Sequence, residues 1–227
     1  MPDLPAAVPT TELEEALLRV VDVEGKLSAA IEDLGPVSGR DVLLLDAGRG
    51  ARARRLTELG ARVTSVPFTG MRDEDDVVAL LDGWKPGSAD VVVVMWSEFA
   101  APGSTFLVAA EKLLRPGGRL LIVHDYGRDD VWGLRPQLRD RLVDWSQRRG
   151  PFLGAGFRIR VIHCWWTFES LDQAAELLEA AFGEAAVEVV SRMKRPRLEY
   201  QVAIYHRTAE PAGARGAEVA ELAGSAG

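Results

Sequence analysis

The feature that most constrains this chain is an unbroken apolar run, Val42-Leu-Leu-Leu45, closed by Asp41 and Asp46 and followed at once by Gly48 and Gly50. A strand that is apolar on both sides needs cover on both faces, as in a parallel sheet between helix layers. Two further runs repeat the pattern, Asp90 to Met95 and Arg119 to His124, and Arg62 to Val66 reads as another strand. Helix-period segments at 51–59, 73–82 and 104–114 separate them, and Pro116-Gly-Gly marks a tight turn. Strands alternating with helices imply right-handed crossovers, so the predicted fold class is α/β with a doubly wound sheet.

The ends are simpler. Residues 1–10 carry three prolines and read as a loose arm, and residues 209–227, rich in Ala, Gly and Glu, as a disordered tail. The domain predicted between them, 11–208, opens with a helical cap over 11–34. There Thr11 and Glu14 give a capping-box signature, and Leu13, Leu17, Val20 and Val21 follow at helical spacing. A short helix through Leu27, Ala30 and Ile31 comes next, and Gly35-Pro36 stops it. After Tyr126 the pattern loosens into an insert at about 128–168, with an arginine-rich helix over 134–149 and an aromatic, strand-prone stretch over 157–168. Ser170 caps a helix through Leu177, Leu178 and Phe182. Strands at 187–192 and 199–206, joined by a short link, are predicted to pair antiparallel.

Composition removes several classes of function. Across 227 residues, no apolar run reaches the roughly 18–20 residues of a membrane span, and the start lacks the blocks of a secretory signal, so a cytoplasmic chain with no membrane partner is expected. Cys164 alone cannot make an internal disulfide or a Cys-rich zinc site, and no metal is expected. A net charge of −7 argues against a general nucleic-acid surface. The distribution is uneven: residues 1–35 hold eight acids against Arg19 and Lys26, whereas ten arginines face five aspartates between Arg115 and Arg160. With only four lysines in the chain, the arginine excess reads as a codon bias before it reads as a phosphate-binding device. Nucleic acid therefore stands as a disfavoured partner.

In a doubly wound sheet, ligands sit beyond the carboxyl ends of the strands. Asp46-Ala-Gly48-Arg-Gly50 is the first candidate site, because glycines after a buried strand let the backbone approach a ligand while the carboxylate accepts from a cation or from amides. The second is His124-Asp125-Tyr126, where an imidazole or carboxylate could take a proton. Beside it, Asp129 and Asp130 have the plainer reading of caps for the following segment, with Arg128 paired to one of them. Trp96, with Ser97, Glu98 and Phe99, closes the Val-rich strand and reads first as core. His163-Cys-Trp-Trp-Thr-Phe168 reads as packing, with an apolar lid or a homodimer seam as alternatives. Cys164 has no activating base on its own strand face.

The succession Val42-Leu-Leu-Leu-Asp-Ala-Gly-Arg-Gly50, Gly60-Ala-Arg-Val-Thr-Ser-Val66, Ala89-Asp-Val-Val-Val-Val94 and Leu113-Leu-Arg-Pro-Gly-Gly-Arg-Leu-Leu-Ile-Val123 resembles the class I S-adenosylmethionine-dependent methyltransferases. The resemblance covers residues 40–125 and, more loosely, 170–206. It implies a Rossmann-like sheet of methyltransferase type, with S-adenosylmethionine as cofactor and a small molecule as methyl acceptor. It assigns Asp46, Gly48 and Gly50 to cofactor contact, together with position 52, and His124, Asp125 and Tyr126 to the acceptor side. Base methylation is disfavoured, since the Asn/Asp-Pro-Pro-aromatic signature is lacking. Three departures mark a degenerate cofactor site. Arg52 stands where a third glycine is usual, and Pro67 where an acidic residue grips the ribose, unless Asp73 or Glu74 replaces it. The 22 residues between Pro67 and Asp90 shorten the fold after the second strand. The rival expectation is a non-catalytic module of the same fold that has lost the cofactor and binds nucleic acid or a protein.

Overall fold

The computed structural model describes residues 10–46, 52–68, 71, 73–135 and 143–209. Two helices, α1 (Thr11–Val20) and α2 (Lys26–Leu34), precede the sheet. They are followed by β1 (Asp41–Asp46), α3 (Arg52–Glu58), β2 (Arg62–Pro67), α4 (Glu74–Asp82), β3 (Ala89–Met95), α5 (Thr105–Lys112) and β4 (Leu114–Asp125). A 3₁₀ turn at Val131–Leu134 and a helical turn at Pro151–Gly154 lead to β5 (Arg158–Thr167), α6 (Leu171–Phe182), α7 (Glu184–Arg192) and β6 (Arg197–Thr208). The six strands lie in the order β2-β1-β3-β4-β6-β5. The first four run parallel, and β6 is antiparallel to both β4 and β5. This is the doubly wound, Rossmann-like sheet expected from the apolar runs.

Period-two alternation sorts each strand between two cores. Val42, Leu44, Val91, Val93, Leu121 and Val123 pack with Leu17, Ile31 and Leu56 of the first three helices and with Ala174 and Leu178 of α6. Leu43, Leu45, Val92, Val94, Leu120 and Ile122 face the other way, onto Val77 and Leu81 of α4 and Phe106 and Leu107 of α5. Among the described residues α4 is the one element between β2 and β3, as expected of a fold shortened after the second strand, and β2 lies at the sheet edge. The strand order reverses between β1 and β3. Their carboxyl ends, Asp46 and Met95, are direct neighbours in register.

Several local expectations change. The first helix is capped one residue earlier than predicted: the Thr10 hydroxyl accepts from the Leu13 amide at 3.2 Å. Ser170 does cap α6, accepting from Gln173 at 3.0 Å. Pro116-Gly-Gly bulges within β4, whose register jumps between Ala89↔Leu114 and Val91↔Arg119. A Cβ on Gly118 would come within 2.9 Å of the Arg115 and Asp90 carbonyl oxygens, which explains the glycine there. The aromatic stretch forms β5 and completes the sheet edge, so it is not part of an insert. Residues 187–192, expected as a strand, lie in the helix α7. Ala186, Val189, Val190 and Met193 meet the core at helical spacing, and Glu188 pairs with Arg192 one turn on. The antiparallel partners of β6 are therefore β4 and β5. Of the predicted 134–149 helix, residues 136–142 lie outside the described residues.

Candidate functional site

Asp46 ends β1 with its side chain fully buried, and Arg52 in the first turn of α3 forms a buried ion pair with it. The same guanidinium lies over the Trp96 ring, 4.5 Å from the centroid. Burial pulls the Arg52 pKa down to about 9. Its Nε is also buried, without a hydrogen-bond partner among the described residues. Gly48 and Gly50 of the expected cofactor turn lie outside the described residues, as do Ala47, Arg49 and Ala51.

Trp96 links this pair to a second one. Its backbone sits at φ 52°, in the left-handed region that costs most side chains energy. Its indole Nε1 donates to Asp125 Oδ1 at 2.9 Å, and the Tyr200 hydroxyl of β6 donates to the same oxygen at 2.6 Å. Arg135 forms a buried ion pair with Asp125 Oδ2. Burial, reinforced by the Asp125 charge, raises the Tyr200 pKa well above the usual phenol value. The carboxylate at the end of β4 thus accepts from three side chains, none of them adjacent in sequence.

The three residues expected on the acceptor side do not converge. Along β4 the alternation turns Asp125 toward Trp96 and His124 to the opposite face, where its ring meets Trp145 edge-on at 4.6 Å and lies near Phe152. His124 is 3% exposed. Tyr126 packs against the α4–α5 side of the core with the Arg128 guanidinium 4.9 Å from its ring centroid. Asp129 caps the following segment as the plainer reading expects, whereas Asp130 makes no cap bond and turns to the start of β6 instead. Asp129 accepts from the Trp132 and Gln201 amides at 3.1 and 2.7 Å, and Asp130 from the Glu199 amide at 3.0 Å. Burial still pushes the Asp129 carboxyl up to about 7. Arg128 pairs with neither of them and reaches Ser146.

On the β2 side Pro67 is exposed, and the two carboxylates that could replace it are engaged elsewhere. Asp73 caps α4 through the Asp75 amide. Glu74 accepts from the Thr105 hydroxyl and the Phe106 amide, which hold its carboxyl below the usual range. Cys164 is buried, and its thiol is pushed up to about 12, chiefly by desolvation. A cavity of about 350 Å³ opens beside Arg52 and Trp96, between α3 and the helices α1 and α2. Nothing local marks Tyr200, and Arg135, expected on the solvated face of an arginine-rich helix, is instead buried against Asp125. Trp96 lies in the core as expected, and its ring face and ring nitrogen are engaged by Arg52 and Asp125.

No protein-family model matches the chain, and no relative appears among the curated proteins. Solved structures of similar fold include a proposed sarcosine dimethylglycine methyltransferase from Galdieria sulphuraria, at 14% identity over 92% of this chain and 94% of that one, TM-score 0.48. The [4+2]-cyclase SpnF is 17% identical over 82% of this chain and 80% of that one, TM-score 0.44. Geranyl diphosphate methyltransferase, solved with GPP and sinefungin, is 18% identical over 80% and 78%, TM-score 0.42. Sheet order and crossover pattern define a doubly wound, Rossmann-like fold.

Proposed function

We propose that this chain is a non-catalytic binding module of methyltransferase fold, in which Arg52 occupies the place where the fold would hold the cationic centre of S-adenosylmethionine. One observation carries the reading: the Arg52 guanidinium sits at the strand-order switch between Asp46 and the face of Trp96. The described residues do not fit the cofactor. The first strand-end carboxylate is paired internally, Pro67 offers the ribose neither a carboxylate nor an amide, and Asp73 and Glu74 are spent on helix starts. The acceptor side agrees, because Asp125 is engaged by three donors and His124 is packed among aromatic rings. No methyl-transfer step is therefore derived.

The alternative is methyl transfer from S-adenosylmethionine to a small-molecule acceptor, and the cavity beside Arg52 favours it by giving that side chain room to withdraw. Calorimetry with S-adenosylmethionine and S-adenosylhomocysteine separates the two. The module reading predicts no saturable heat from either. Micromolar binding, about −8 kcal/mol, would overturn it.

A further inference from the structure

A buried carboxylate and a fixed indole face, set at the switch point of a doubly wound sheet, form a receptor for a cation. We propose that Asp46 and Trp96 form a binding box for an alkylguanidinium, with Arg52 as its tethered and displaceable occupant. This rests on the reading of Arg52 given above and names the ligand chemistry of the same crevice.

The two walls are rigid for different reasons. Asp46 ends a strand paired on both sides, by β2 and by β3. Trp96 is pinned at three points: its amide donates to the Val123 carbonyl at 2.9 Å, its indole nitrogen donates to Asp125, and its backbone is held at positive φ. Such strain persists only where the surroundings over-determine it. None of these anchors runs through Arg52.

Arg52 fills it imperfectly. Its reach from the first turn of α3 pairs one terminal nitrogen with Asp46 and stacks the guanidinium on Trp96, but leaves Nε buried with no partner among the described residues. A buried donor left unsatisfied weakens the hold of the pair. The adjoining cavity of about 350 Å³ supplies what exchange requires. Leu18, Leu27, Ile31 and Leu56 give an apolar wall for an alkyl tail, and Glu15 and Glu58 on the same cavity can receive a withdrawn guanidinium. Among the described residues Glu15 pairs with Arg54 at 3.9 Å, a long and exposed contact. A free alkylguanidinium can enter without the geometric constraint of the Arg52 stem that leaves Nε without a partner among the described residues.

The test titrates N-butylguanidinium into the full chain, Arg52→Ala, and the double variant Arg52→Ala/Asp46→Asn, following heat and melting temperature. Removing a tethered competitor should raise the apparent affinity of Arg52→Ala at least about tenfold over the parent. Its lowered melting temperature should climb saturably with ligand, and the double variant should show neither effect. Trp96→Leu on the Arg52→Ala background should bind about tenfold more weakly. Equal responses in all three chains, no response in Arg52→Ala, or an equal response to n-butylammonium would overturn the proposal. If Arg52→Ala does not fold, Arg52→Gln, which keeps the stem and loses the charge, gives the same readout. Cofactor binding by the parent would end the module reading without touching this titration, so the two fail separately.

Discussion

At the scale of single residues, the buried charges behave as matched sets whose members depend on one another. Asp46→Asn removes the buried charge that faces the Arg52 guanidinium. Breaking one partner of such a pair typically costs about 3–5 kcal/mol, to be read as a lowered urea midpoint at unchanged slope. Asp129 makes a prediction with a definite sign. Its folded pKa of about 7 lies above the ordinary 3.8, so the folded chain holds a proton that the unfolded chain gives up between those values. Its contribution is complete below about pH 4 and is lost as pH rises through 7. The difference in melting temperature between the parent and Asp129→Asn, followed from pH 4 to 8, isolates this group. A constant difference would contradict the account. Cys164, buried with its thiol pushed up to about 12, should resist iodoacetamide at pH 8 in the folded chain and react once urea unfolds it. Native-state alkylation at the unfolded rate would refute that burial.

At the scale of elements, legibility follows the range of the signal. Apolar runs and cap residues are local, so β1, β3, α5 and α6 can be read from the chain. The segment at 187–192 misleads because Val187, Val189 and Val190 carry strand propensity, while the decisive fact is which of them meets the core. Val187 is 54% exposed whereas Ala186 is fully buried, a helical division of faces. The corner between α6 and α7 depends on Gly183, at φ 59° and ψ −133°, a conformation open essentially to glycine alone. Gly183→Ala should cost about 1–3 kcal/mol, seen as a lower denaturation midpoint with unchanged far-ultraviolet circular dichroism. A neutral substitution would mean the corner is made another way.

At the scale of the molecule, the sheet brings together what the sequence keeps apart. The oddity of Arg52 and Pro67 can be noticed in the chain itself. The destination of Arg52 cannot, because Trp96 comes from another strand. Asp125 meets Trp96, Arg135 and Tyr200 only once β3, β4 and β6 are assembled. The double engagement of Trp96, ring face to Arg52 and ring nitrogen to Asp125, ties the two buried pairs into one unit beneath the switch point. That unit stands at the switch point, where a doubly wound sheet places its ligands.

The most direct test of this claim compares the parent with Arg52→Gly for binding of S-adenosylmethionine and S-adenosylhomocysteine by calorimetry, with thermal unfolding run alongside. Expected are no saturable binding by the parent, detectable binding by Arg52→Gly, and a lower melting temperature for the variant because buried Asp46 has lost its cation. Micromolar binding by the parent, unchanged in Arg52→Gly and with no loss of stability, would contradict it.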